Sequence, residues 1–160
     1  MPAKQLDGRI MTAQWLSLQP LHLAWGTGRA DWDHAPEPEP VDAFVLDAEI
    51  GRRTVTQVGF VNPDAEGLIE MPQGKYTLSA TPTRYLYLRT VFAFGEAPTV
   101  KIREVALFAG TQVKAGLPPG QRYFTPAEVV APGKMFLLDR SQNFLRNGAV
   151  RSAFEYVLPF

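Results

Sequence analysis

The chain has 160 residues, no cysteine, and sixteen basic residues that balance sixteen acidic ones. This length corresponds to about one domain and suffices to bury a core without disulfides, and the missing thiols exclude disulfides, thiolate catalysis and cysteine-ligated zinc or iron–sulfur sites. A net charge of zero argues against binding of nucleic acid, which needs excess lysine and arginine, and it opposes self-association only weakly.

The start of the chain carries no sorting signal. Met1–Gly8 contains a lysine and an aspartate, and no apolar run of signal-peptide length follows. No stretch approaches the roughly 20 apolar residues of a membrane-spanning helix. We therefore expect a protein that is made soluble in the cytoplasm and does not insert into a membrane.

The first predicted element is an extended segment over Met11–Leu23, interrupted by Pro20. A glycine turn follows at Trp25–Gly28, because glycine readily adopts the backbone angles of tight turns. Residues 29–41 form a Pro/Glu-rich loop. Its alternating proline and glutamate favour an extended polyproline conformation, which predicts a solvated spacer.

A short helix is predicted over Asp42–Ile50. Asp42 can cap its first turn, and Leu46 and Ile50 share one face at i, i+4 spacing. Gly51 suits the position just after a helix end. A helix of this length needs tertiary packing to persist.

Period-two alternation of apolar residues dominates the rest of the chain. The predicted strands are Thr54–Val61, Leu68–Met71, Lys75–Thr81, Tyr85–Phe94, Val100–Phe108, Lys134–Leu138 and Val150–Leu158. Short strands separated by Gly/Pro turns predict a mainly β fold. We expect a single antiparallel β-sandwich or barrel-like domain over residues 1–160, with one or two short helices.

Residues 110–133 interrupt this rhythm as a long, apolar, Pro/Gly-rich loop or arm. Such a loop packs against either the rest of the domain or another chain. We expect Tyr123 and Phe124 to dock on a neighbouring subunit, with Arg122 as a charged contact at the rim. On this hypothesis, alanine at both aromatic positions leaves the melting of the isolated fold nearly unchanged.

A second candidate interface lies on the predicted strand Tyr85–Phe94. Tyr85, Tyr87 and Arg89 share one face of that strand, and aromatic residues and arginine are enriched at protein interfaces. The alternative is that a second sheet covers this face within the domain.

A search for catalytic or metal-binding patterns yields none. His22 lies between two leucines and is expected to be half-buried in a strand, while Asp31–His34 and Asn62–Gly67 lack the spacing of metal ligands. Neither a Gly-x-Ser-x-Gly elbow nor a phosphate loop occurs. We expect that the protein is not an enzyme and that it binds no cofactor and no stoichiometric metal. The residues leave open a carbohydrate-binding module, or a hydrolase with an unrecognised carboxylate pair.

Several patches resemble tail proteins of bacteriophages. Ile102–Phe108, following Phe92–Phe94, resembles a strand motif in the virion-attaching N-terminal domains of tail fibres. Leu23–Gly28 resembles a stretch near the start of small tail and baseplate proteins, and Tyr123–Pro126 with Pro132–Met135 is similar in character. The resemblance implies a non-enzymatic structural protein of the virion tail, a baseplate component or fibre adaptor. Its implied partners are other tail or baseplate proteins and copies of itself.

Overall fold

The computed structural model describes residues 2–140 and 143–160. In chain order, the elements of these residues are α1 (Leu6–Ser17), β1 (Leu21–Gly26), a 3-10 turn (Ala30–Asp33), β2 (Glu49–Thr54), β3 (Gln57–Pro63), β4 (Ile69–Met71), β5 (Gly74–Ser79), β6 (Tyr85–Phe92), β7 (Lys101–Ile102), β8 (Glu104–Ala109), β9 (Gln112–Val113), β10 (Tyr123–Phe124), a second 3-10 turn (Pro126–Glu128), β11 (Val129–Ala131), β12 (Lys134–Asp139), β13 (Phe144–Leu145) and β14 (Ser152–Pro159). The antiparallel strands and the short helix confirm the predicted fold class.

The chain divides into two compact units. Unit 1 comprises Met1–Gln19, Val55–Thr90 and Ala153–Phe160, and unit 2 comprises Pro20–Thr54 and Val91–Ser152. The prediction of one domain over residues 1–160 stays a prediction.

Unit 1 contains α1 and a five-stranded sheet with the order β14–β6–β3–β5–β4. The sheet curls toward a barrel, and the Gln73 side chain in the β4–β5 turn donates to the Val157 carbonyl of β14 at 3.4 Å. This bond links the two ends of the strand order. The apolar interior contains Val61, Tyr76, Tyr87 and Val157, with Ile69, Met71 and Tyr85 packed against them.

Unit 2 is built on a five-stranded sheet with the order β10–β2–β1–β8–β12. Every residue of the neighbouring strands β1 and β8 is buried, so both faces of the sheet centre are covered. One face carries the cluster Ala24, Leu46, Ala106 and Phe108, with Met135 and Leu138 packed against it. Two short sheets, β9 with β11 and β7 with β13, complete the unit.

The extended segment predicted over Met11–Leu23 is wrong in its first half. Residues up to Ser17 belong to α1, and only Leu21 onward forms a strand. The apolar and polar neighbours of Leu16 resemble a strand pattern, but Ala13 and Leu16, three residues apart, are the buried pair of a helix.

The helix predicted over Asp42–Ile50 is also wrong, because the segment is irregular up to Asp47 and β2 begins at Glu49. Leu46 does reach the core cluster. Ile50 instead belongs to a strand that pairs with β1. A nine-residue helix has too few internal bonds to persist unless both apolar residues pack on the same side.

Residues 110–133 contain regular structure rather than a bare loop. They include β9, β10, β11 and the 3-10 turn Pro126–Glu128, which Thr125 and Glu128 close with a reciprocal capping box. In the described part of the chain, no helix is long and apolar enough to cross a membrane.

Candidate protein-interaction site

Helix α1 exposes apolar side chains on the side opposite the one that packs. Ala13 and Leu16 are fully buried and define its inner face. Met11, Trp15 and the C-cap residue Leu18 are 67%, 56% and 82% exposed, and their i, i+4, i+7 spacing places them on one line. Covering such surface gains about 25 cal/mol per Å², so this line, the α1 stripe, is a candidate contact surface.

The sequence interpretation missed the α1 stripe because it assigned Met11 to Leu18 to an extended segment. The spacing of Met11, Trp15 and Leu18 is the signal that could have revealed it. Apolar residues on both sides of α1 weaken the usual amphipathic pattern, and this hides the helix from a search for a single apolar face.

Two residues of the predicted surface, Tyr85 and Tyr87, pack in the apolar interior of unit 1, whereas Arg89 is half-buried. Tyr87 is only 4% exposed, and its hydroxyl donates to Glu155 Oε2 at 2.9 Å. Burial and this bond raise the pKa of Tyr87 to about 12. Arg89 Nε donates to the other oxygen of Glu155 at 3.1 Å. The residues share a face as predicted, and Tyr87 is buried within the chain.

The predicted anchors Tyr123 and Phe124 form β10, which pairs with β2. Phe124 is 5% exposed, and its ring meets the His22 ring edge-on with centroids 5.7 Å apart. The Tyr123 hydroxyl accepts a hydrogen bond from Trp25 Nε1 at 3.0 Å. Arg122 is exposed. Both rings therefore pack inside unit 2, and their role in a contact with another chain stays a prediction.

The arginine of the Ile102–Phe108 motif fixes the first 3-10 turn. Arg103 makes a two-pronged contact with Asp33, with Nε and one terminal nitrogen each 2.9 Å from a carboxylate oxygen. Lys101 Nζ and Asn143 Nδ2 donate to the same carboxylate at 2.8 and 3.0 Å. The bonds from Arg103 and Lys101 hold the pKa of Asp33 well below its usual range. The carboxylate is saturated with donors, so it serves as a structural anchor.

The glutamate of the same motif is buried in unit 2. Glu104 Oε1 accepts the Ala48 N–H at 3.0 Å, and its Oε2 lies 4.0 Å from Arg140 Nε. Burial raises the pKa of Glu104 despite the Ala48 bond, which acts to lower it. Arg103 and Glu104 of the motif therefore each hold one loop in place: Arg103 holds the first 3-10 turn, and Glu104 holds the segment just before β2.

His22 makes the stability of unit 2 dependent on pH. The ring is 7% exposed, and burial together with the positive charge of Arg52 lowers its pKa to about 4. The unfolded chain, with a pKa near 6.5, then binds more protons than the folded one between these values. The contribution of neutral His22 to the free energy of unfolding is therefore fully present above about pH 6.5 and is lost as the pH drops toward 4.

Between pH 7 and 4.5, we expect the wild-type chain to lose about 2 kcal/mol more unfolding free energy than His22→Gln. Urea titrations of both proteins at both pH values measure this difference. The variant serves as the control for carboxylates that titrate in the same range. Equal losses in both proteins would show that His22 does not carry the effect.

Within residues 2–140 and 143–160, no three histidine, aspartate or glutamate side chains lie close enough together to hold a metal ion. This includes the segments Asp31–His34 and Asn62–Gly67. Asp33 is committed to basic partners, and Asp64 Oδ1 accepts the Glu66 N–H within its turn. The expectation of a protein without metal or cofactor stays a prediction.

Comparison with curated proteins gave no match. A family model described as "Baseplate wedge 3 tail fiber network component" matches residues 1–160. The match spans every patch that resembled phage tail proteins and confirms that resemblance. This family is structural and is not an enzyme family, which confirms the prediction of a non-enzymatic role. The chain belongs to the baseplate wedge 3 tail fiber network components and is a structural protein of the phage tail baseplate.

Proposed function

We propose that the chain is a connector that contacts another protein of the tail fibre network through the α1 stripe and also associates with copies of itself. Membership in a tail fibre network implies contacts with other baseplate or fibre proteins. The observation that carries the proposal is the exposure of Met11, Trp15 and Leu18 on one side of a helix whose other side is packed.

The chemistry of the α1 stripe indicates an apolar partner surface. Tryptophan is the residue type most enriched among those that dominate binding energy at interfaces. Asp7 and Gln14 lie along one border of the stripe and are exposed, which gives it the polar rim typical of interfaces. No basic residue lies in the last turn of α1, so the stripe itself offers no cationic site for phosphate. We infer a protein partner and no contact with nucleic acid.

The previously predicted interface residues support this proposal less directly. Tyr87 and Phe124 are buried within the chain. Arg122 is exposed and Arg89 is half-buried, so both can serve as contacts at a rim. Arginine on a rim affects the rate and salt dependence of association more than the affinity.

Trp15→Ala combined with Leu18→Ser should reduce incorporation of the chain into baseplates at least about tenfold, because it removes the main apolar area of the α1 stripe. The measurement is the amount of the chain in tails purified from phage whose wild-type copy is replaced. Both side chains are exposed, so the unfolding free energy should change by less than about 0.5 kcal/mol.

Gln5→Ala, at the exposed N-cap of the same helix and away from the stripe, is the matched control and should incorporate normally. Normal incorporation of the double variant would rule out the α1 stripe as a contact. A large loss of stability in the isolated double variant would show that these side chains support the fold instead.

A further inference from the structure

We propose that β12 pairs antiparallel with β12 of a second copy of the chain. This inference rests on the proposed self-association and names its surface. β12 is the last strand of its sheet, and no strand of the described chain lies on its outer side. None of its residues is fully buried, whereas every residue of its neighbour β8 is. An open strand edge is a template for another strand.

A register shift places the two charged ends of β12 on the same face of the sheet. Lys134 lies opposite Ala109 of β8, and Asp139 lies opposite Val105. Ala109 and Val105 are four residues apart on β8 and therefore share a face. Residues directly opposite each other on neighbouring strands also share a face, so Lys134 and Asp139 lie on the same face. Without the shift near the middle of β12, their five-residue separation would put them on opposite faces.

Two-fold symmetry then selects one register. An axis perpendicular to the sheet keeps each face on its own side, so residues that pair across the axis must share a face. Setting Lys134 opposite Asp139 of the second copy satisfies this condition and forms an opposite-charge pair at each end. A displacement of two residues would lose both pairs.

The same register joins the apolar layers of the two copies. Met135 and Leu138 both pack on the core cluster of unit 2. In this register, Met135 of each copy lies opposite Leu138 of the other copy. A groove of about 260 Å³ runs beside β12, with Glu39, Pro40, Val41 and Ala43 on its other side. Val41 is fully exposed and Phe136 is 41% exposed. These side chains add apolar area to the strand contact, which alone is smaller than a standard interface.

Paired single-cysteine variants test the register directly, because the chain has no cysteine. Lys134→Cys mixed with Asp139→Cys should form a disulfide-linked dimer in a glutathione buffer, since Cα atoms directly opposite lie about 4.5–5.5 Å apart. Either variant alone should give at least about tenfold less, because identical positions lie roughly 13 Å apart along the strand. Lys75→Cys, on an exposed strand residue of unit 1, is the matched control in both mixtures.

Charge reversal tests the same contact without a cross-link. Lys134→Asp and Asp139→Lys each place like charges opposite each other at both ends, and each should weaken the dimer about tenfold. An equimolar mixture of the two variants restores both opposite-charge pairs and should recover wild-type affinity as a mixed dimer. Sedimentation velocity measures the dissociation constants, and Lys75→Asp should leave them unchanged.

The outcomes separate this inference from the proposed function. A wild-type chain that stays monomeric at every concentration reached would overturn self-association, while contact through the α1 stripe would stand or fall on its own variants. A dimer that ignores both charge reversals, or that cross-links equally through Lys75→Cys, would overturn only the β12 surface. If Asp139→Lys does not fold, the cysteine pair decides.

Discussion

Arg52→Met should lower the free energy of unfolding of the isolated chain by about 3–5 kcal/mol, because removing one member of a buried ion pair leaves the charge of the other uncompensated. The Arg52 side chain is 2% exposed and that of its partner Glu49 is 18% exposed. Two guanidinium nitrogens donate to the two Glu49 oxygens, each at 2.8 Å. Methionine fills much of the same space and leaves the carboxylate without this partner.

Arg52 also fastens both ends of residues 110–133 to β2. Its remaining terminal nitrogen donates to Thr111 Oγ1 at 2.9 Å and to the Pro132 carbonyl at 2.7 Å. The guanidinium lies 4.2 Å from the centre of the Phe108 ring, where a cation–π contact adds to the bonds. Loss of Arg52 should therefore loosen this segment before the rest of unit 2.

Urea unfolding measures the loss of stability, and amide hydrogen exchange across residues 110–133 measures the loosening. Arg122→Met is the matched control, because Arg122 is an exposed arginine next to the same sheet; it should change stability by less than about 0.5 kcal/mol. A loss below about 1 kcal/mol for Arg52→Met would mean that water or another donor replaces the guanidinium at Glu49.

The sequence was sufficient to predict several of the longer strands, because their signal is local, but it did not predict β2 or the short strands within residues 110–133. Alternation over Tyr85–Phe94 and Lys134–Leu138 predicted strands that the structure places at Tyr85–Phe92 and Lys134–Asp139. Alternation also placed Tyr85, Tyr87 and Arg89 on a common face. It could not tell which face is inside, since that depends on how distant parts of unit 1, such as Val61 and Val157, pack together.

The buried charges could not be predicted for the same reason. Arg52 and Glu104 are 2% and 0% exposed, yet charged residues are almost never fully buried unless paired. Apart from Glu49, which lies three residues from Arg52, their partners come from residues far along the chain, such as Pro132 and Arg140. The motif Ile102–Phe108 was recognised by resemblance. The contacts of its Arg103 with Asp33 and of its Glu104 with Ala48 depend on how the loops around β8 are placed, which the sequence does not reveal.

Tyr123→Ala combined with Phe124→Ala should destabilise the isolated chain by at least about 4 kcal/mol, which reverses the expectation drawn from the sequence. Truncating a buried phenylalanine costs about 3–5 kcal/mol, and Phe124 is 5% exposed. Loss of the Tyr123 hydroxyl removes the acceptor 3.0 Å from Trp25 Nε1. Losing a hydrogen bond of this kind costs about 0.5–1.5 kcal/mol more.

The neighbouring packing shows why the structure tolerates truncation poorly at this point. Trp25 is fully buried and stacks on Phe92 with ring centroids 3.6 Å apart, and the Tyr123 ring meets both edge-on. A Cβ placed on Gly51 would lie only 2.1 Å from the Tyr123 hydroxyl oxygen, so the tyrosine ring fills its site closely. Removing it opens a cavity beside a rigid aromatic pair, and such cavities collapse only in part.

Thermal and urea unfolding of Tyr123→Phe, Phe124→Ala and the double variant separate these contributions. Tyr123→Phe keeps the ring and removes only the acceptor, so its loss should be the smallest. Double-variant stability within about 1 kcal/mol of wild type, together with failure to enter baseplates, would instead show that the two rings act mainly on a neighbouring chain. Because β10 pairs with β2 at Tyr123–Arg53 and Phe124–Arg52, we expect the opposite result: the rings anchor residues 110–133 to the sheet of their own unit.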